Sequence, residues 1–149
     1  MAVMPSNAQD AETRERLAGP AVRAFFRITE AWGLTDQQRL VILGESVARS
    51  TLQTWKDRTP RTLSVDQLER CSYIVAIYEG LMRVFRRAPE LAVRWLQLPR
   101  AEHPFYGKSA LAFILGGRSA NLAAVRALVD HVSGGPPSRE EYPAPPSEA

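Results

Sequence analysis

Glu90 to Gly135 reads ELAVRWLQLPRAEHPFYGKSALAFILGGRSANLAAVRALVDHVSGG, and the spacing of its apolar residues decides the fold class. They recur through Leu91, Trp95 and Leu98, again through Leu111, Phe113, Ile114 and Leu115, and a third time through Leu122, Val125, Leu128, Val129 and Val132. That is the period of helices with one apolar face. Pro99, Pro104 and Gly107 forbid one continuous helix and leave Phe105 and Tyr106 on a compact connector. Gly116 and Gly117 stop the second helix, and Ser119 offers a side-chain oxygen to cap the third. The chain therefore reads as all-α, a small helical bundle.

Upstream, LSVDQLERCSYIVAIYEGLMRVFR starts at Leu63 and is apolar around most of its circumference, through Leu68, Cys71, Ile74, Val75, Ile77, Tyr78, Leu81, Met82 and Phe85. A helix of that composition is central. Ser64 caps its start, with Gln67 three residues on as the capping-box partner. Gly80 inside it costs about 1 kcal/mol relative to Ala, so a second helix is expected to press against it. Pro89 suits the first position of the helix that follows.

Earlier still, Leu17, Val22, Phe25, Phe26, Ile28 and Trp32 define a helix that Gly33 ends. Thr35 is the expected N-cap of DQQRLVIL, with Leu40, Val41 and Leu43 inward and Gly44 as its stop. After the turn Glu45 to Arg49, Ser50 is expected to cap a short helix through Asp57, whose Leu52 and Trp55 face the core. Helix, glycine-containing turn and helix give the helix-turn-helix outline. Its second helix would present Arg49, Ser50, Thr51, Gln53, Thr54 and Lys56 outward, with Arg58 and Arg61 just beyond. Arg can pair with guanine, Gln with adenine, and the hydroxyls and cations with phosphates.

The ends differ from the middle. Residues 1–16 lack an apolar stripe and are expected to be disordered or a frayed lead-in. From Gly134 the chain holds five of its eleven prolines and a net charge of −2, against +3 for the whole, the composition of a solvated extension. The division is thus 17–62 for the helix-turn-helix part, 63–133 for a second helical domain, and 134–149 for a Pro-rich acidic tail.

Composition bounds the function. A pI near 9.4 permits contact with nucleic acid. One cysteine, Cys71, rules out an intrachain disulfide or a cysteine-based zinc site, and it reads as a small core residue. His103 and His131 have no acidic or cysteine companions at metal spacing, so no metal, no cofactor and no catalytic residue is expected. No apolar run approaches the roughly 20 residues that span a bilayer, and the cytosol is the expected compartment.

The order W-L-x-x-P, F-x-G-x-S-A-L, a glycine stop and V-R-x-L-V-D resembles the MbcA/ParS/Xre antitoxin family. The matching residues are Trp95, Leu96, Pro99, Phe105, Gly107, Ser109, Ala110, Leu111, Gly117, Leu122, Val125, Arg126 and Asp130. A second match runs through Asp66-Gln67-Leu68-Glu69-Arg70, Ser72-Tyr73 and Ile77-Tyr78. The resemblance implies a non-enzymatic antitoxin of a type II toxin-antitoxin system. It would neutralise a toxin of the RES fold that consumes NAD, bind operator DNA as a homodimer and repress its own operon. The expected toxin-binding residues are Phe105, Tyr106, Lys108, Arg118, Asp130, Gly134, Gly135, Glu140, Glu141 and Tyr142, with Phe105 inward and Tyr106 outward. The alternative is a stand-alone helix-turn-helix transcription regulator whose C-terminal domain only dimerises.

Overall fold

A computed structural model describes residues 10–134 of the chain. In order its helices are α1 (Ala11–Ala31), α2 (Asp36–Leu43), α3 (Arg49–Asp57), α4 (Val65–Val84), α5 (Pro89–Gln97), α6 (Ala110–Ile114) and α7 (Ser119–Val132). No strand occurs among the described residues, and one isolated bridge pairs Pro99 with Ser109. The all-α expectation holds.

As its composition demands, α4 lies at the centre, packing most extensively on α1 and on α7. Phe25 and Ile28 of α1, Leu52 of α3, Ile74 and Ile77 of α4, Leu96 of α5, Ile114 of α6 and Val125 of α7 all fall in one buried cluster. Each such side chain contributes about 1.5–3 kcal/mol on leaving water. Both halves thus share a single core.

Gly80 is buried in α4, and a Cβ there would overlap Val129 Cγ1 of α7. That glycine is what allows the two helices to approach so closely.

Local chemistry sets the helix ends. At Thr35 and Ser64 each hydroxyl accepts from the backbone N–H three residues on, while Gln38 and Gln67 return the bond to the cap's own N–H. Gly33 and Gly44, at φ +74° and +91°, end α1 and α2 in a conformation that L side chains resist.

Four expectations need correction. α1 begins at Ala11, not Leu17, because Asp10 accepts from the Glu12 N–H and the small residues Thr13 and Ala18 supply the buried positions of its first turns. Ser50 does not cap α3. Val47 is buried, and the chain enters the helix at Arg49 from Ala48, with no side-chain cap. Ser119 is likewise the first residue of α7 and not its cap, which is Arg118. In α2 the fully buried pair is Ile42 and Leu43, with Leu40 and Val41 only half-buried.

Candidate nucleic-acid interface

α3 turns Leu52 and Trp55 into the core, which leaves Arg49, Ser50, Gln53, Thr54 and Lys56 exposed and Thr51 half-buried. Arg58 and Arg61, in the segment after the helix, are also exposed. All eight residues that the sequence marks for DNA therefore reach the surface around one helix.

They do not stand alone. Asp36, in the first turn of α2, accepts from Lys56 Nζ at 2.7 Å, Gln53 Nε2 at 3.1 Å and Arg39 Nη1 at 2.9 Å. Arg49 Nη2 donates to the Gln37 side-chain oxygen at 3.0 Å. The flank of α3 that carries Arg49, Gln53 and Lys56 is therefore tied to the start of α2. Ser50 and Thr54 point elsewhere, Thr54 returning its hydroxyl to the Ser50 carbonyl at 3.1 Å. Arg61 meets Glu15 at 3.1 Å in an exposed pair, of the kind that contributes little.

Arg39, which the apolar pattern does not mark, anchors this arrangement. It is 7% exposed, its Nε donates to Thr29 Oγ1 at 2.7 Å, and its guanidinium lies over the Phe26 ring at 5.2 Å. Thr29 in turn donates to the Phe25 carbonyl at 2.8 Å. Hydrogen bonds from Lys56 above all, and also from Arg39 and Gln53, hold the Asp36 carboxyl down at about 2. It is a fixed anion at any physiological pH.

Beside α3 lies a second feature. Arg23, Phe26, Arg27, Glu30 and Arg39 face Trp55, Lys56, Asp57, Arg58 and Thr59 across an open cleft of about 810 Å³. Neither Arg23 nor Arg27 is marked by the sequence pattern, which follows only the apolar residues of this helix.

The C-terminal residues separate. Phe105 is 2% exposed and meets Phe113 edge-on, with centroids 4.9 Å apart. It plugs the core, in line with the expectation of an inward Phe105. Tyr106 is 73% exposed, and its hydroxyl lies 2.8 Å from His103 Nδ1. The connector closes on itself through Gly107 N–H to the Arg100 carbonyl at 2.6 Å and Arg100 N–H to the Lys108 carbonyl at 3.1 Å. Leu91 of α5 and Leu98, which caps that helix, are exposed apolar residues as well.

Lys108 is exposed, while Asp130 is half-buried and paired with Arg126 at 3.3 Å. Arg118 lines a different groove, of about 840 Å³, with Gln37, Ser46, Val47 and Asp66. Among the described residues no hydrogen bond or ion pair joins Lys108, Arg118 or Asp130 to Tyr106. Gly134 is exposed at the end of the described chain, and Gly135, Glu140, Glu141 and Tyr142 lie outside the described residues.

Cys71 is buried, and burial pushes its thiol up to about 12, so it carries no thiolate at neutral pH. Among the described residues no three His, Cys, Asp or Glu side chains gather as a metal site, and no helix is long and apolar enough to cross a membrane.

A short polar helix docked on a helix that begins in a capping box, with cations beside it, defines a helix-turn-helix protein. Residues 12–76 match the antitoxin Xre-like helix-turn-helix domain. The chain is also 37% identical over 114 residues to the uncharacterized protein y4oB of Sinorhizobium fredii (strain NBRC 101917 / NGR234), a match covering 76% of this chain and 84% of that relative. This chain belongs to the family of that rhizobial protein, and its N-terminal half is a helix-turn-helix of the Xre-like antitoxin type.

Proposed function

We propose that this protein is the antitoxin of a type II toxin-antitoxin pair. It binds and neutralises a cognate toxin through its C-terminal half and represses its own operon through α2 and α3. The observation that carries the reading is the antitoxin Xre-like match over residues 12–76, continued in the same core by α5 to α7. The partner is a RES-type toxin that consumes NAD, on the strength of the motifs at Trp95 to Pro99, Phe105 to Leu111 and Val125 to Asp130. Tyr106 is the leading toxin-facing residue because it is the most exposed large hydrophobic side chain among the described residues and sits on a connector held by its own hydrogen bonds. Residues 134–149 add an acidic segment that could enter a pocket built for a dinucleotide pyrophosphate. Operator binding favours a homodimer, since two-fold symmetry matches two half-sites.

The test is co-expression with the product of the neighbouring reading frame, following growth, cellular NAD and co-purification. Rescue of growth, retained NAD and a stable complex support the antitoxin. Binding to upstream DNA with no protein partner and no rescue replaces it with the stand-alone regulator.

A further inference from the structure

The cleft between α1 and the C-terminal end of α3 has no part in folding that accounts for its charge. Five cationic side chains line it against two carboxylates, Glu30 and Asp57. Two of the five are compensated internally, Lys56 by Asp36 at 2.7 Å and Arg39 by Asp36 at 2.9 Å and Glu30 at 3.4 Å. Arg23, Arg27 and Arg58 are exposed and form no ion pair among the described residues. Arg23 and Arg27 stand four apart on one helical face, where like charges work against the helix.

The geometry brings these groups together. Gly19 of α1 lies where a Cβ would sit 3.2 Å from Arg23 Nη1 and 3.4 Å from Thr59 Oγ1. The segment after α3 therefore closes onto α1 over a residue without a side chain, and a guanidinium and a hydroxyl converge there. Both are phosphate donors. Four residues of helix rise roughly 6 Å, so Arg23 and Arg27 present two guanidinium groups from one face of α1, an arrangement that suits a row of phosphates on one strand. Lys56 and Arg58 carry the cleft without a break onto the outward face of α3.

We infer that the cleft of Arg23, Arg27, Arg58 and Thr59 binds the phosphodiester backbone of duplex DNA, flanking the groove that α3 reads. This rests on the DNA-binding reading of α3 and extends it to α1. It makes α1 a second element on the backbone and assigns the cleft a sequence-independent share of the affinity.

The test compares two duplexes of equal length, one spanning the DNA just upstream of the chain's own reading frame and one with that sequence scrambled, over a salt series. Removing a cation from one phosphate lowers the slope of log K against log salt by about 0.9. The full-length Arg23→Gln, Arg27→Gln, Arg58→Gln protein is expected to weaken on both duplexes alike and to lose about 2 to 3 from that slope. Its circular dichroism and thermal midpoint should stay close to the parent's, since none of the three is in an ion pair. A control with Arg86→Gln, Arg87→Gln and Arg94→Gln changes net charge equally outside the cleft and should keep the slope. Gln53→Ala should weaken the upstream duplex only.

An unchanged slope in the cleft variant, or an equal fall in the control, overturns the cleft, and a surviving Gln53→Ala effect then leaves α3 as the reader. A cleft effect with no Gln53→Ala effect keeps the cleft as a backbone site and overturns base reading by that residue. Failure of the unaltered protein to bind either duplex overturns both.

Discussion

Lys56 Nζ donates to Asp36 Oδ2 at 2.7 Å, so the last cation of α3 is held by the first turn of α2. The pair ties one helix of the helix-turn-helix to the other, and it also compensates one positive charge on the outward face of α3. Asp36→Asn should act in both directions. Stability is expected to fall by about 1–2 kcal/mol, because Arg39, Gln53 and Lys56 lose an anionic acceptor. Affinity for a scrambled duplex should rise, with a steeper salt slope, because Lys56 is freed for a phosphate. Chemical denaturation and a salt series check the two halves, and a less stable variant with weaker DNA binding would contradict the second.

The same carboxyl gives a pH dependence with a definite sign. In the folded chain it sits at about 2, below its ordinary value of 3.8, mainly through the Lys56 hydrogen bond. A depressed folded value means that its contribution is complete above the unfolded value and is lost as pH falls through the folded one. The stability gap between the parent and Asp36→Asn should therefore be constant near neutrality and close between about pH 4 and pH 2. A gap that persists at the acid end would show that the loss came from packing and not from charge.

Gly80→Ala tests the crossing of α4 and α7. Alanine would favour the helix by about 1 kcal/mol, but its Cβ would strike Val129 Cγ1, and overpacking costs about 1–3 kcal/mol. A net loss of about 1 kcal/mol is expected. Combining it with Val129→Ala should be less costly than the sum of the two single changes, a coupling that a double-mutant cycle reads directly. Strict additivity would mean that the two sites do not touch.

Gly80 and the capping boxes belong to what was legible. Ser64 with Gln67, Thr35, Pro89, the glycine stops and the centrality of α4 all follow from local rules, and the structure keeps them. What escaped depends on partners distant in sequence. Arg39 reads as a polar residue of α2, yet it is buried because Thr29 and Phe26, on the preceding helix, receive its guanidinium. Arg23 and Arg27 acquire meaning only once Arg58 is seen across the cleft. The caps expected at Ser50 and Ser119 failed because α3 already begins at Arg49, just after the buried Val47, and α7 at Ser119 itself. Of the C-terminal positions, the inward Phe105 and outward Tyr106 were legible from the connector's two aromatics, while the separation of Arg118 from them was not.

Phe105 and Tyr106 are adjacent and should behave oppositely. Phe105→Ala empties a core position against Phe113 and should cost about 3–5 kcal/mol. Tyr106→Ala removes an exposed ring and should leave helical circular dichroism and the thermal midpoint nearly unchanged, while co-purification with the toxin weakens. Tyr106 also sits at φ +46°, a conformation that favours glycine. Tyr106→Gly is therefore expected to be at least as stable as Tyr106→Ala and equally defective in binding. Full toxin binding by both would remove the connector from the interface.

Arg70 joins the two halves of the protein. Its Nη1 donates to the carbonyls of Ile42 and Gly117, each at 3.0 Å, and its Nε to Asp66 at 2.9 Å. Ile42 lies in the last turn of α2, where carbonyls lack helical partners, and Gly117 lies in the turn before α7. One half-buried guanidinium thus satisfies orphan acceptors on both sides. Lysine is a poor substitute, since a single ammonium cannot reproduce the planar fork that spans Asp66 and the two carbonyls. Arg70→Lys and Arg70→Met should both lose about 2–3 kcal/mol, the range for hydrogen bonds to a charged group together with an unpaired buried acceptor. Amide exchange should quicken around Gly44 and Gly117 before it does in the middle of α4, because the join opens while the core helix stays packed. Uniform acceleration across the chain, or a lysine variant as stable as the parent, would show that the shared apolar core alone holds the halves together.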